Sequence, residues 1–237
     1  MGNSDMLPIH KSPENPLEDF VRIPDVTYGD NRLPKKKLKE SLLKEQGYLC
    51  AYCMSRISED TMKVEHWHPQ KSDTEGQELS AEEKEKERLS SIDYKNMLAV
   101  CIGNEGHPKK EQHCDTRKGN KHLLYNPSNP QDHNRLQIYY LRSGEIASED
   151  AIFCAQLGSK EENKAGVLNL NCPKLMNNRA AVINYIFKAL QKLQKQASKG
   201  KISAILQNWK EPDSSGRLKE YAGVAIYFLT KRLQKSF

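Results

Sequence analysis

The chain has 237 residues, 37% of them hydrophobic and 29% charged, with a formal net charge of +6. That length supports one sizeable core, or a small metal domain beside a helical one, while the absence of any apolar run of about 18 residues excludes a membrane span. Met1 to Ser12 has no apolar stretch like that of a signal peptide, so a cytoplasmic protein is expected, and its basic balance favours an anionic partner such as nucleic acid.

Residues 1–33 carry Pro8, Pro13, Pro16 and Pro24 with few periodic apolar positions and read as an extended arm. Leu17, Phe20, Val21 and Ile23 are its anchors, either onto its own domain or onto a partner. Pro34 opens a helix through Glu45, with Leu38, Leu42 and Leu43 on one face and Gly47 as its stop. Lys35, Lys36, Lys37, Lys39 and Lys44 crowd the other side, as a solvated face or as phosphate contacts, with Lys36 and Lys37 the nucleic-acid candidates. Tyr48 to Val64 reads as a β-hairpin turned at Ser58-Glu59-Asp60. Lys71 to Ser91 is a charged insert in which Ser80 and Glu83 form the capping box of a surface helix away from any chemistry. Asn96 to Cys101 brings the chain back, and Thr116 onward begins a further helix. After Asn126-Pro127 and Asn129-Pro130, Leu136 to Leu141 is a strand turned by Ser143-Gly144 into Glu145-Ile146-Ala147. The remainder is helical. Ile183, Ile186, Phe187, Leu190 and Ala197 keep helical spacing, as do Ile202, Ile205, Leu206 and Trp209, then Leu218, Tyr221, Ala222, Ala225, Phe228 and Leu229. These stripes read as core, and Lys188, Lys192 and Lys195 as a basic ridge.

The chemistry is concentrated between Cys50 and Lys118. Cys50-Ala-Tyr-Cys53 is a metal-binding knuckle, and with Cys101 and Cys114 it offers the four thiolates of a structural zinc site. Six cysteines in a reducing compartment argue for metal over disulfides; Cys154 and Cys172 fall outside the pattern and read as free core thiols. Glu65, His66 and Asp115 lie beside those cysteines. Glu65 and Asp115 are hard oxygen ligands suited to Mg²⁺ or Mn²⁺, and a neutral His66 can take a proton from water. Asn96 cannot act as a base, so its amide is expected to pin the loop that aims His66. His68 reads as structural or phosphate-facing. Lys118 and Arg117 are candidate phosphate contacts, Arg117 equally a solvated helix start.

These residues, Cys50-x-x-Cys53, Glu65-His66-x-x-Pro69, Asn96, Cys101 and Cys114-Asp115-x-x-Lys118-Gly119, resemble the HNH endonucleases with their ββα-metal fold. The flanks His10-Lys11-Ser12-Pro13, Leu124-Tyr125-Asn126-Pro127 and Val167-Leu168-Asn169-Leu170-Asn171 resemble the retron-associated and Septu-type effectors called PtuB. The resemblance implies an α+β protein: an extended N-terminal arm (1–33), a zinc-stapled nuclease domain (34–130), and a β-hairpin with a mainly helical C-terminal region (131–237). It implies a catalytic set of His66 as general base with Asn96 and Glu65, a catalytic Mg²⁺ or Mn²⁺ on Glu65 and Asp115, and a structural Zn²⁺ on Cys50, Cys53, Cys101 and Cys114. It further implies an antiphage effector with an ATPase partner of the PtuA type and, in retron settings, a reverse transcriptase with its RNA–DNA hybrid. The arm and the C-terminal helices are the expected docking elements. Two departures stand out. Residues 102–113 separate the second pair of cysteines, where the family has two residues, so a loop must bulge from the knuckle; and Asp115 stands where the family mostly has His or Asn, with His113 and Asn120 as other choices. DNA and RNA, tRNA in particular, are both open as substrates, and a zinc-ribbon binding module without cleavage is the rival class.

Overall fold

The computed structural model describes residues 8–70, 79–161, 164–193 and 199–235. Among them the chain forms, in order, α1 (Glu18–Val21), α2 (Lys35–Glu45), β1 (Met62–His66), α3 (Ala81–Ile92), a 3-10 turn (Tyr94–Asn96), β2 (Met97–Cys101), α4 (Cys114–Lys118), β3 (Ile138–Tyr140), β4 (Ile146–Ser148), α5 (Ala151–Leu157), α6 (Pro173–Lys192), α7 (Lys199–Lys210) and α8 (Ala222–Gln234). The architecture is mixed α+β, with two small two-stranded sheets. No described helix is long and apolar enough to cross a membrane.

β2 is the centre. Its run Met-Leu-Ala-Val-Cys is apolar at every position and buried throughout, so both of its edges need partners. One edge pairs antiparallel with β1, Met62 opposite Cys101 and His66 opposite Met97. The other is completed without a strand. The Gln46 side chain donates to Ala99 O at 2.7 Å and accepts from Ala99 N at 2.8 Å, and Ala51 N donates to the same carbonyl at 3.0 Å. Helix α2 sets this up: its buried face of Leu38, Leu42 and Leu43, worth roughly 1.5–3 kcal/mol per residue, delivers Gln46 to the strand before Gly47 turns the chain at φ 55°.

Tyr48 to Val64 does not form the hairpin expected from sequence. Bridging there is limited to Leu49 and Arg56, residues 58–61 close a turn through Thr61 N to Ser58 O at 3.1 Å, and β1 goes to the more apolar β2 instead. The surface helix is capped as expected: Ser80 accepts from Glu83 N, with Glu83 reaching back to Ser80 N, at the start of α3. Its far end is not remote from the site, however, because Ser91 is buried there and contacts His66. Residues 71–78 of the expected insert lie outside the described residues, as do Lys195 and Ala197.

The arm, described from Pro8 onward, wraps its own core. Ile9, Leu17, Val26 and Leu33 are buried, Ile9 N donates to Pro127 O at 2.9 Å, and Arg88 of α3 donates to the carbonyls of Val21, Ile23 and Val26. Lys11 reaches Met97 O at 2.6 Å and Glu45 at 3.4 Å. One apolar cluster runs from Ile9 to Val224, and a smaller one joins α6, α7 and α8 through Ile186, Ile202, Ala225 and Leu229. Cys172 is buried and Cys154 half-buried, both as free thiols.

Arg179 on α6 ties the C-terminal region together. Its guanidinium is buried and donates to Gly144 O at 2.6 Å, Leu170 O at 2.7 Å and Asn171 Oδ1 at 3.1 Å. Arg179→Met is expected to strand these acceptors and cost about 2–3 kcal/mol, read as a lowered urea midpoint. An unchanged midpoint would mean that the loops do not depend on it.

Candidate active site and metal centre

Four cysteines meet from three places: Cys50 and Cys53 from the knuckle, Cys101 from the end of β2, and Cys114 from the start of α4. All are buried, and their sulfurs lie within 4.8 Å of one another. Two edges of the cluster measure 3.9 Å (Cys50 to Cys114) and 3.8 Å (Cys53 to Cys101). Thiolates about 2.3 Å from a tetrahedral zinc stand about 3.8 Å apart, so the cluster fits that ion. The thiols of Cys114, Cys50 and Cys53 donate toward Cys101 and hold it far below its ordinary pKa, whereas burial pushes the Cys50 and Cys114 thiols up.

The long spacer between Cys101 and Cys114 is accommodated by pinching the loop off at its neck. His113 N donates to Gly103 O at 3.0 Å. Gly103 has φ +57°, and a Cβ there would lie 2.0 Å from His113 O, so only glycine allows the closure. Asn169 then braces the loop from outside, donating to Lys110 O and Gln112 O at 3.0 and 2.8 Å, while Leu168 O accepts from Cys114 N at 2.9 Å. The Val167 to Asn171 motif thus supports the metal centre. His113 sits with Nδ1 at 3.3 Å from Cys114 Sγ, which places it with the cysteines.

Two residues join this centre to the carboxylates. Tyr52, between the knuckle cysteines, donates from its hydroxyl to Glu65 Oε1 at 3.1 Å, and Asp115 follows Cys114 in the first turn of α4. Glu65 is 5% exposed. Burial, and a hydrogen bond with Asp115, push its carboxyl up to about 8, against the opposing pull of Lys118. Such a pair cannot hold both negative charges without a proton or a cation. Paired hard oxygens of this kind fit Mg²⁺ or Mn²⁺, which commonly take one or two carboxylates and fill their remaining positions with phosphate and water.

Lys118, a candidate phosphate contact in the sequence, is buried against Glu65. It is 1% exposed, at 2.7 Å from Glu65 Oε1, with His66 O at 3.3 Å and Gly119 O at 3.4 Å. A buried ammonium needs an acid, and Glu65 is the one within reach. Arg117 is half-buried and donates to Lys109 O at 3.1 Å. Lys36 and Lys37 are exposed on α2, beside a shallow basic hollow formed with Lys35.

The His66 ring is fixed at both nitrogens. Nε2 lies 2.9 Å from Ser91 O, which can only accept, so Nε2 carries the proton and Nδ1 the lone pair. Gln70 donates to that Nδ1 at 2.8 Å. Burial lowers the His66 pKa and keeps the ring neutral, the form a base requires. Tyr28 from the arm packs edge-on against the ring at 4.9 Å. Among the described residues no cluster of three or more His, Cys, Asp or Glu ligands forms apart from the cysteines, so His66 does not share a ligand group with Glu65 and Asp115, although Asp115 and Lys118 act on it electrostatically.

Asn96 clamps the loop after β1. Its Oδ1 accepts from His68 N at 2.7 Å, its Nδ2 donates to His68 O at 2.9 Å, and its carbonyl accepts from Trp67 N at 2.9 Å. Trp67 Nε1 donates in turn to Tyr125 O at 3.1 Å, which gives the Leu124 to Pro127 motif its place. His68 is exposed, its ring tilted against His122 at 5.1 Å. Sequence reasoning missed Tyr28, Tyr52, Lys63 and Gln70. Only Lys63 carried a local signal: two residues before Glu65 on a strand, it shares that face, and it lies 3.7 Å from Asp115 and 2.8 Å from Glu105.

No family model matches the chain. It is similar to a protein of Vibrio cholerae serotype O1 biovar El Tor named "Retron Vc95 putative HNH endonuclease", with 28% identity over 133 residues. The alignment covers 53% of this chain and 58% of that protein, so the likeness extends over somewhat more than half of each.

Proposed function

We propose that the chain is a metal-dependent HNH endonuclease that hydrolyses nucleic-acid phosphodiester bonds, with β1, β2 and α4 as its ββα-metal core. DNA is the favoured substrate and RNA, including tRNA, the second. The observation that carries this reading is the tie between a four-cysteine cluster and the group Glu65, Asp115 and Lys118, next to a neutral imidazole with one defined basic nitrogen. The likeness to the V. cholerae protein supports it.

A divalent ion held by Glu65 and Asp115 would supply stabilisation of the charge that builds on the phosphoryl group. The chain's own residues do the rest. His66 Nδ1 takes a proton from water once the Gln70 amide gives way. The Ser91 carbonyl holds the Nε2 proton and shares the charge that results. Asn96 fixes the loop that aims the ring, and Lys118 holds the Glu65 carboxylate and the His66 backbone at the same time.

Two observations favour the rival reading, a zinc-ribbon binding module without cleavage: Lys118 already pairs with Glu65, and Gln70 already occupies Nδ1. The substitution Asp115→Ala separates the two. For a nuclease, cleavage of plasmid DNA or total tRNA in Mg²⁺ falls at least tenfold and recovers partly in raised Mn²⁺, with cysteine-bound zinc unchanged. Unchanged metal dependence would remove Asp115 from the catalytic ion.

As biological setting we propose an antiphage effector of the PtuB kind, acting with an ATPase of the PtuA type and, in a retron, with a reverse transcriptase and its RNA–DNA hybrid. The flanking motifs and the retron in the relative's name support this. Because Tyr28 packs on His66 and Lys11 on Met97, removing residues 1–30 would disturb the site itself, so the C-terminal helices are the cleaner place to probe partner binding.

A further inference from the structure

Beside the loop that Asn96 clamps lies an open groove of about 940 Å³. Its walls come from the arm (His10, Lys11), from α3 (Lys86, Leu89), from the segment Asp93 to Asn96, and from Trp67 and His68. Three features define its chemistry. Lys86 and Lys95 are exposed on it; Lys11 is already paired with Glu45; and Asp93 is the acidic residue among its lining residues. His122, Lys86 and Lys118 all lie close enough to His68 to act on it electrostatically. Trp67 is half-buried in the wall, locked by its bond to Tyr125 O.

We infer that this groove holds a single-stranded segment of nucleic acid leading to the site, with Lys86 and Lys95 at its phosphates and Trp67 as the surface on which a base stacks. The inference rests on the nuclease reading for its biological sense, and deepens it by naming the form of the substrate. A fixed aromatic ring in a groove with exposed lysines suits an unpaired strand, whose bases expose their π-faces, better than a duplex, which hides them. The groove is also lined by Ser90 and Asn96, which adjoin the Ser91 carbonyl bonded to the His66 ring and the loop after β1, so a strand seated there passes close to the base.

The test uses the full chain without added divalent ions and carrying His66→Ala, so that cutting is negligible during the titration, and Trp209→Phe, which leaves Trp67 as the single reporting indole. A twelve-nucleotide single-stranded DNA, the matching RNA, and the DNA duplex are titrated at several salt concentrations. The expected result is saturable quenching of Trp67 by one or both single strands at affinity at least tenfold above the duplex; whichever of DNA and RNA binds tighter identifies the strand. Adding Lys86→Glu and Lys95→Glu should weaken single-strand binding at least tenfold and flatten the salt slope by about 1.4, the share of two phosphate contacts. Tighter binding of the duplex, no quenching, or a double variant that binds with unchanged affinity and slope would overturn the inference. An intact chain that cuts nothing under any divalent ion defeats the nuclease reading while leaving this binding result standing; a chain that cuts but shows no quenching defeats the groove alone.

Discussion

Cys50→Ser is expected to leave no soluble folded protein. The cysteine cluster is where four segments meet: the knuckle, the end of β2, the start of α4 and, through Leu168 and Asn169, the C-terminal motif. A structural zinc contributes on the order of 10 kcal/mol of folding free energy, comparable with the whole net stability of a domain. Losing one of four thiolates therefore removes most of the margin. The measurement is zinc content and soluble yield of the variant beside the parent, with about one zinc per parent chain. A Cys50→Ser protein that stays soluble with a normal melting curve would show that the four sulfurs meet without holding the fold.

His66→Ala is expected to lower cleavage by about two to four orders of magnitude, the usual worth of a general base, with zinc content and melting behaviour close to the parent. Among the described residues the ring bonds Ser91 O and Gln70 and packs on Tyr28, so its removal opens a small cavity without touching the cysteines. His66→Gln should be almost as inactive, because an amide keeps hydrogen bonds but cannot take up the proton. Full activity in either variant would exclude the imidazole from proton transfer.

What the sequence disclosed was local. The Cys50-x-x-Cys53 knuckle, the cap at Ser80 and Glu83, the stop of α2 at Gly47 and the helical stripes of α6 to α8 each depend on spacing within one or a few turns, and spacing is what a sequence records; Cys101 and Cys114 were legible by residue type, as the remaining thiolates of a four-ligand set. What it hid was pairing at a distance. β1 finds its partner across thirty intervening residues, and the choice of β2 over the nearer segment follows from burial of the whole Met97 to Cys101 run, which becomes a requirement only once both edges are seen. The partner of Lys118 was hidden for a similar reason: nothing in the short α4 segment points to Glu65, and only the fold brings it to 2.7 Å. Tyr28 and Gln70 carry no motif; their roles at His66 follow from where the arm and the loop after β1 come to rest. The charged insert misled through its composition, since its exposed helix ends in the buried Ser91 that sets the tautomer of His66.

The most direct measurement is a time course of phosphodiester cleavage by the intact chain, loaded with zinc at one ion per chain, on plasmid DNA and on total tRNA, with and without added Mg²⁺, beside His66→Ala. The expected result is breakage of at least one substrate that requires added Mg²⁺, leaves the zinc in place, and is lost with the imidazole. Cleavage that proceeds equally without Mg²⁺, or equally in His66→Ala, would contradict the site described here.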